Sequence, residues 1–312
     1  MKRFVFHFAA VFIALAGFVA VTLLDARTSR GQSQSSVKGS DRGAAEGRVK
    51  STARVRAKAN EAANVSATFG PAATRNGLLR AELNWTFGGK AQRGWHLYTQ
   101  IIGSLIDTEQ DADSAGFAQA LARWQDRSGL TSSGVLDEAS LYSMISQWQG
   151  ARLKERAYPR PDQLVTAAAS DFYHPTRPDE LRQVERETYA AYKRMVAAAA
   201  TDPSLSLARS ADGQLAPAEK YLKIISAFRS REYQEQLRRQ SPNSGRAGLA
   251  VNSPHFTGRA LDLYVGGDPV ETKDSNRALQ VQTRVYQWLI RNAESFGFRP
   301  YFYEPWHWEY VK

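Results

Sequence analysis

His255 and Asp262 stand seven residues apart in the segment Ser253-Pro-His-Phe-Thr-Gly-Arg-Ala-Leu-Asp262. Metal ligands must converge on one point. In a strand through Ala260 to Tyr264, the side chains of Ala260, Asp262 and Tyr264 point to one side. His255 falls in the preceding turn, and Gly258 lets the chain bend back toward it. Taken alone, this pair suits a polar loop as well as a metal. A second segment reads Tyr303-Glu-Pro-Trp-His-Trp-Glu-Tyr310. Glu304 and His307 are three apart across a proline, so an extended or turned backbone can present both to one cavity. Trp306, Trp308 and Tyr310 can pack on the opposite face as core. A third segment is Ser226-Ala-Phe-Arg-Ser-Arg-Glu-Tyr-Gln234. Its Arg229 follows a strand-like run and suits a carboxylate held through two hydrogen bonds, or a surface ion pair.

The elements that must position these groups follow from spacing. Strand-like runs cover Leu222 to Phe228 and Ala260 to Val265, and a final strand is expected from Pro300 to Val311. A helix is expected from Asp179 to about Ala200, with Asp179 and Glu180 at its positive amino end. Another is expected from about Leu279 to Ser295. Residues 151 to 178 carry Pro159, Pro161, Pro175 and Pro178 and read as an irregular connector. Strands and helices do not alternate regularly. The fold class is therefore α+β, with a small antiparallel sheet and flanking helices.

Upstream, residues 78–150 have helical apolar spacing. Tyr98, Ile101, Ile102 and Leu105 share one face, as do Phe117, Leu121 and Trp124, and Leu141, Ile145 and Trp148. Gly129 and Gly134 interrupt the pattern. A small three-helix module is expected. Residues 25–77 hold few large apolar side chains and read as a basic flexible linker. Nine Lys/Arg against four Asp/Glu between Asp25 and Ala63 supply half of the net charge of +10. Residues 1–24 open with Lys2 and Arg3, then run apolar from Phe4 to Leu24, interrupted only by His7 and Thr22. Twenty-one such residues at about 1.5 Å each match a bilayer core of about 30 Å. A membrane anchor or a signal peptide is expected, and either exports the rest of the chain.

Composition narrows the chemistry. With 43% hydrophobic and 23% charged residues the chain is globular rather than disordered. It has no cysteine, which excludes disulfides, thiolate metal clusters, thiol catalysis and a lipoprotein anchor. Any metal must sit on His, Asp or Glu, and only five histidines exist. His96 and His174 lack a setting for metal and read as structural or surface residues. Half of the basic excess lies in the tail, so a nucleic-acid-binding fold is disfavoured.

The three segments, in this order, resemble the VanY-type D-alanyl-D-alanine carboxypeptidases, whose superfamily also includes lysostaphin-type peptidases and the hedgehog signalling domain. The resemblance covers roughly residues 180–312. It implies that His255, Asp262 and His307 bind zinc, that Glu304 is the catalytic base, and that Arg229, Ser253 and Gln234 contact the substrate. Two imidazoles and one carboxylate on zinc leave a fourth position open, as catalytic sites do. The segment from Phe117 through Leu141 resembles the three-helix peptidoglycan-binding domain, on Trp124-Gln125, Gly129-Leu130, Gly134 and Ser140-Leu141. It differs from that pattern at Ser133 and Asp137. Together these resemblances imply an extracytoplasmic zinc peptidase in residues 151–312, anchored or secreted, acting on peptidoglycan peptides and held near the wall by the module. L,D-carboxypeptidase or endopeptidase action, and a non-catalytic wall-binding protein, are the alternatives. No nucleic acid and no obligate protein partner are expected.

Overall fold

The computed structural model describes residues 41–240 and 252–311. The expected anchor or signal at residues 1–24 lies outside them. No helix among the described residues is long and apolar enough to cross a membrane.

The first element is a helix, α1 (Asp41–Glu82), where the sequence suggested a flexible linker. That expectation weighed only burial. Alanine recurs through the segment and is the best helix former, so the backbone can close its hydrogen bonds without a core. The carboxy-terminal half of α1 is also partly covered. Ala72 and Ala73 are buried with Ala118, beside Phe69 and Val135. The buried Asn76 donates to the Gly134 carbonyl at 2.8 Å and accepts from the Leu136 amide at 2.8 Å. The module therefore begins upstream of residue 78.

A hairpin follows, β1 (Asn84–Phe87) and β2 (Lys90–Arg93), which the helical reading missed. Gly88 and Gly89 have φ of 57° and 78°. Two successive positive φ values form the two-residue turn that suits the twist of a hairpin, and Gly-Gly was its signal. The three expected helices are α2 (Thr99–Leu105), α3 (Ala115–Arg127) and α4 (Glu138–Ala151). Ser114 caps α3 by accepting from the Phe117 amide, and Asp137 caps α4 by accepting from the Ser140 amide. Asp137, one of the two departures from the wall-binding pattern, thus has a local structural role. Gln125 also turns inward, bonding the Gly134 amide, the Val135 carbonyl and Ser140.

In the carboxy-terminal region, β3 (Leu164–Thr166) pairs with β4 (Gln183–Glu185). Helix α5 (Arg186–Thr201) starts later than expected. Asp179–Leu181 form only a 3-10 turn, and the buried Val184 is drawn into the core as part of β4. The true cap is Glu185, whose carboxylate accepts from the Thr188 amide and hydroxyl. Next come β5 (Ile224–Ser226), α6 (Arg231–Gln240) and β6 (Ala260–Leu263). The expected helix over Leu279–Ser295 is two, α7 (Asp274–Val281) and α8 (Arg284–Asn292), because Thr283 caps the second. The expected last strand is a hairpin, β7 (Phe298–Pro300) and β8 (His307–Tyr310), joined by a loop. These four strands form one antiparallel sheet in the order β5-β6-β8-β7, so the α+β class holds.

The module and this region share a hydrophobic core. Tyr301, Phe302 and Tyr303, from the β7–β8 loop, are buried among the module's aromatic residues. The Phe302 ring lies 4.8 Å from Phe87, 5.4 Å from Tyr98 and 5.7 Å from Trp148. Arg277 of α7 donates to the Tyr98 hydroxyl at 2.7 Å and lies over the Tyr303 ring. The sequence suggested a separable targeting module; the structure joins it to the sheet.

Candidate metal centre and catalytic residues

Strand alternation sorts the chemistry from the core. Leu261, Leu263, Trp306 and Trp308 join the hydrophobic core, with Tyr310 against it. Asp262, His307 and Glu309 take the other face. Cross-strand pairing then sets a row, with Ser226 opposite Asp262 and Asp262 opposite His307. His255 arrives from a 3-10 turn, Pro254–Thr257, capped by the Ser253 hydroxyl. Gly258 closes that turn at φ 68°, and a Cβ there would lie 2.9 Å from the Glu185 amide nitrogen. A side chain at this position is opposed by both backbone and neighbour. Gly258→Ala is expected to cost about 1–3 kcal/mol and, by shifting His255, to weaken metal binding. Urea unfolding and metal titration check this; unchanged midpoint and affinity would contradict it.

The three expected ligands converge. His255 Nε2 lies 3.2 Å from Asp262 Oδ1, and His307 Nδ1 lies 2.9 Å from the same oxygen. One donor atom from each residue falls within 4.8 Å of the others. Zinc bonds of about 2.0–2.2 Å in a tetrahedron place neighbouring ligand atoms about 3.3 Å apart, so the donor set fits that ion with modest adjustment. All three side chains are buried.

Neighbours fix which ring nitrogens face the centre. His255 Nδ1 donates to the Ala227 carbonyl at 2.7 Å, which leaves Nε2 for a metal. His307 Nε2 donates to the Glu309 carboxylate at 3.3 Å, which turns Nδ1 inward. Such outer contacts orient ligating imidazoles. Burial and the nearby Arg229 push His255 down to about 4. Burial would also lower His307, but its hydrogen bonds to Asp262 and Glu309 prevail and raise it to about 9. Burial works against ionised Asp262, yet His255, His307 and Arg229 hold it well below the usual carboxylate range. Glu309 is likewise held down, to about 2, by His307 and Arg152.

Glu304 is buried in the β7–β8 loop. Its amide donates to the Tyr301 carbonyl at 3.1 Å, and its carbonyl accepts from the His307 amide at 2.9 Å. Burial raises its carboxyl to about 7; His307 opposes this and Asp262 adds to it.

The expected substrate contacts are engaged with the protein itself. Arg229 donates from Nε to Ser226 at 2.8 Å, from Nη2 to Asp262 Oδ2 at 2.6 Å, and from Nη1 to Gln234 at 3.3 Å. Among the described residues three of its five N–H groups are used. Ser253 and Gln234 are both buried. His96 and His174 are exposed.

The sequence reading missed Glu309, Ser226, Tyr301 and Arg152. Glu309 was legible, since a residue two after His307 on a strand shares its face. Arg152, 157 residues from Glu309, carried no such signal.

No curated protein matches the chain. A family model does, over residues 181–312. That span includes Arg229, Ser253, His255, Asp262, Glu304, His307 and Glu309 and leaves out Arg152. Residues 181–312 thus form a domain of the VanY family, described as D-alanyl-D-alanine carboxypeptidase.

Proposed function

We propose that this chain is a zinc-dependent D-alanyl-D-alanine carboxypeptidase acting on peptidoglycan stem peptides outside the cytoplasm. The observation that carries the reading is the convergence of His255 Nε2, Asp262 Oδ1 and His307 Nδ1 beside a buried glutamate. When bound, zinc supplies a Lewis acid for the scissile carbonyl and acidifies water at its open position. Glu304 takes a proton from the attacking water. The C–O bond forms first, as water adds to the carbonyl, and the C–N bond then breaks as Glu304 returns that proton to the leaving amine. Arg229, with Ser253 and Gln234, contacts the peptide substrate. The module keeps the enzyme near its polymer, and residues 1–24 direct export.

The test is digestion of a defined wall pentapeptide, followed by mass spectrometry. The expected products are the tetrapeptide and D-alanine, with activity lost in a chelator and restored by zinc. Metal analysis should find about one zinc per chain, as a single His2Asp site holds one ion. A pentapeptide left intact by zinc-loaded protein, or full activity in the chelator, would overturn the reading.

Metal binding should also release a proton. His307 is raised to about 9 and must give up its Nδ1 proton to a cation, whereas His255, lowered to about 4, is already neutral near pH 7. At least one proton per zinc is expected near neutral pH, because Glu304, raised to about 7, is partly protonated there and also loses its proton beside a cation. Calorimetry in buffers of different ionisation heat measures it, and a buffer-independent heat would refute it.

A further inference from the structure

We propose that Arg152, at the end of the helical module, is a positioning residue of the metal centre, acting on His307 through Glu309. The inference rests on the reading of His307 as a ligand. Arg152 directly follows α4 and lies outside the span that matches the family model.

The Glu309 carboxylate is fully buried and is held at both oxygens by one short segment. Arg152 donates to Oε1 from Nε at 3.1 Å and from Nη2 at 2.5 Å, while the Leu153 amide donates to Oε2 at 2.8 Å. The same Oε1 accepts from His307 Nε2 at 3.3 Å. A carboxylate gripped in this way has one orientation, and it permits one orientation of the imidazole. Arg152 is itself anchored. Nη1 donates to Gln149 on α4 at 2.9 Å, and the guanidinium lies 3.9 Å over the Tyr301 ring. Tyr301 in turn donates its amide to the His307 carbonyl at 3.0 Å. Both ring and backbone of His307 are thus tied to the residue that caps the last helix of the module. A planar guanidinium is needed here, because lysine offers neither the fork nor the stacking face.

The test uses the full chain. Zinc dissociation constants are measured by competition with a chromophoric chelator for wild type, Arg152→Ala, Arg152→Lys, Glu309→Gln and the double variant Arg152→Ala/Glu309→Gln. Removing an outer partner of a metal ligand typically costs about 10–100-fold in affinity, and each single variant is expected in that range. The double variant should be no weaker than the worse single one, because both act on the same contact. Visible spectra of the cobalt-loaded proteins should change band position or intensity in Arg152→Lys, reporting altered ligand geometry. Lys193→Ala, which removes a distant ion pair with Asp171, should leave affinity and spectrum as in wild type. If Arg152→Ala does not fold, Arg152→Lys and Glu309→Gln decide. Folded variants that bind zinc within about twofold of wild type, with unchanged cobalt spectra, would overturn the proposal. Wild type that binds no zinc would instead overturn the reading of the ligands.

Discussion

Glu304→Gln is expected to lower kcat by about 10²–10⁴-fold while zinc stays bound, because the amide keeps the shape of the side chain but cannot accept the proton. Single-turnover kinetics on a wall pentapeptide, with metal analysis of the same sample, measure both halves of this expectation. Near-normal turnover in the loaded variant would remove Glu304 from the role of base. A second readout needs no substrate. In metal-stripped protein the folded state favours the neutral carboxyl of Glu304, raised to about 7. Its contribution to stability is therefore complete below the ordinary glutamate pKa and is lost as pH rises through about 7. Glutamine mimics the neutral acid at every pH. The stability of Glu304→Gln relative to wild type should grow between about pH 5 and about pH 8, by on the order of 3 kcal/mol. A pH-independent difference would mean that Glu304 does not carry a raised pKa.

Truncating the chain to residues 151–312 is expected to abolish hydrolysis even of short soluble peptides. A tethered targeting module would predict the opposite, with only intact wall affected. The reason lies in the β7–β8 loop. Tyr301, Phe302 and Tyr303 are buried in the module's aromatic core, directly before Glu304 and His307. Without the module these rings lose their partners, and Arg152 loses Gln149. Deleting one buried phenylalanine ring costs about 3–5 kcal/mol, against a total stability of about 5–15 kcal/mol. Truncation unpacks three aromatic side chains at once. Thermal unfolding and pentapeptide assays of the truncated and full chains test this. Phe302→Ala in the full chain provides a milder version and should lower the melting temperature. A truncated protein that melts cooperatively and cleaves the pentapeptide at near the full rate would show that the module is a spacer.

The reactive side chains were legible through the resemblance of their three segments to a known family; spacing alone left them open and recorded only their local placement. Asp262 and His307 sit on strands whose alternation can be read from Leu261, Leu263 and Trp308, and His255 sits in a turn that Gly258 closes. The amphipathic spacing of Phe117, Leu121 and Trp124 likewise marked a helix and its buried face. Element boundaries were less legible where a single cap or turn decides them. Glu185, rather than Asp179, starts α5, and Thr283 divides α7 from α8. The helix at Asp41–Glu82 was misread because backbone propensity needs no apolar stripe.

The linear order of residues thus pointed to an α+β frame, and through the resemblance of three segments to a known family it implied a donor set of His255, Asp262 and His307 with Glu304 as base. How those donors are held was settled only when the chain folded. The ring tautomers depend on the Ala227 carbonyl and the Glu309 carboxylate. Arg229 is drawn onto Asp262 across 33 residues, and Arg152 reaches Glu309 across 157. Helical and strand periodicity arise from backbone geometry within a few residues, so they leave a trace in spacing. Contacts between distant segments arise only when the chain closes on itself, and no local pattern records which cation meets which carboxylate.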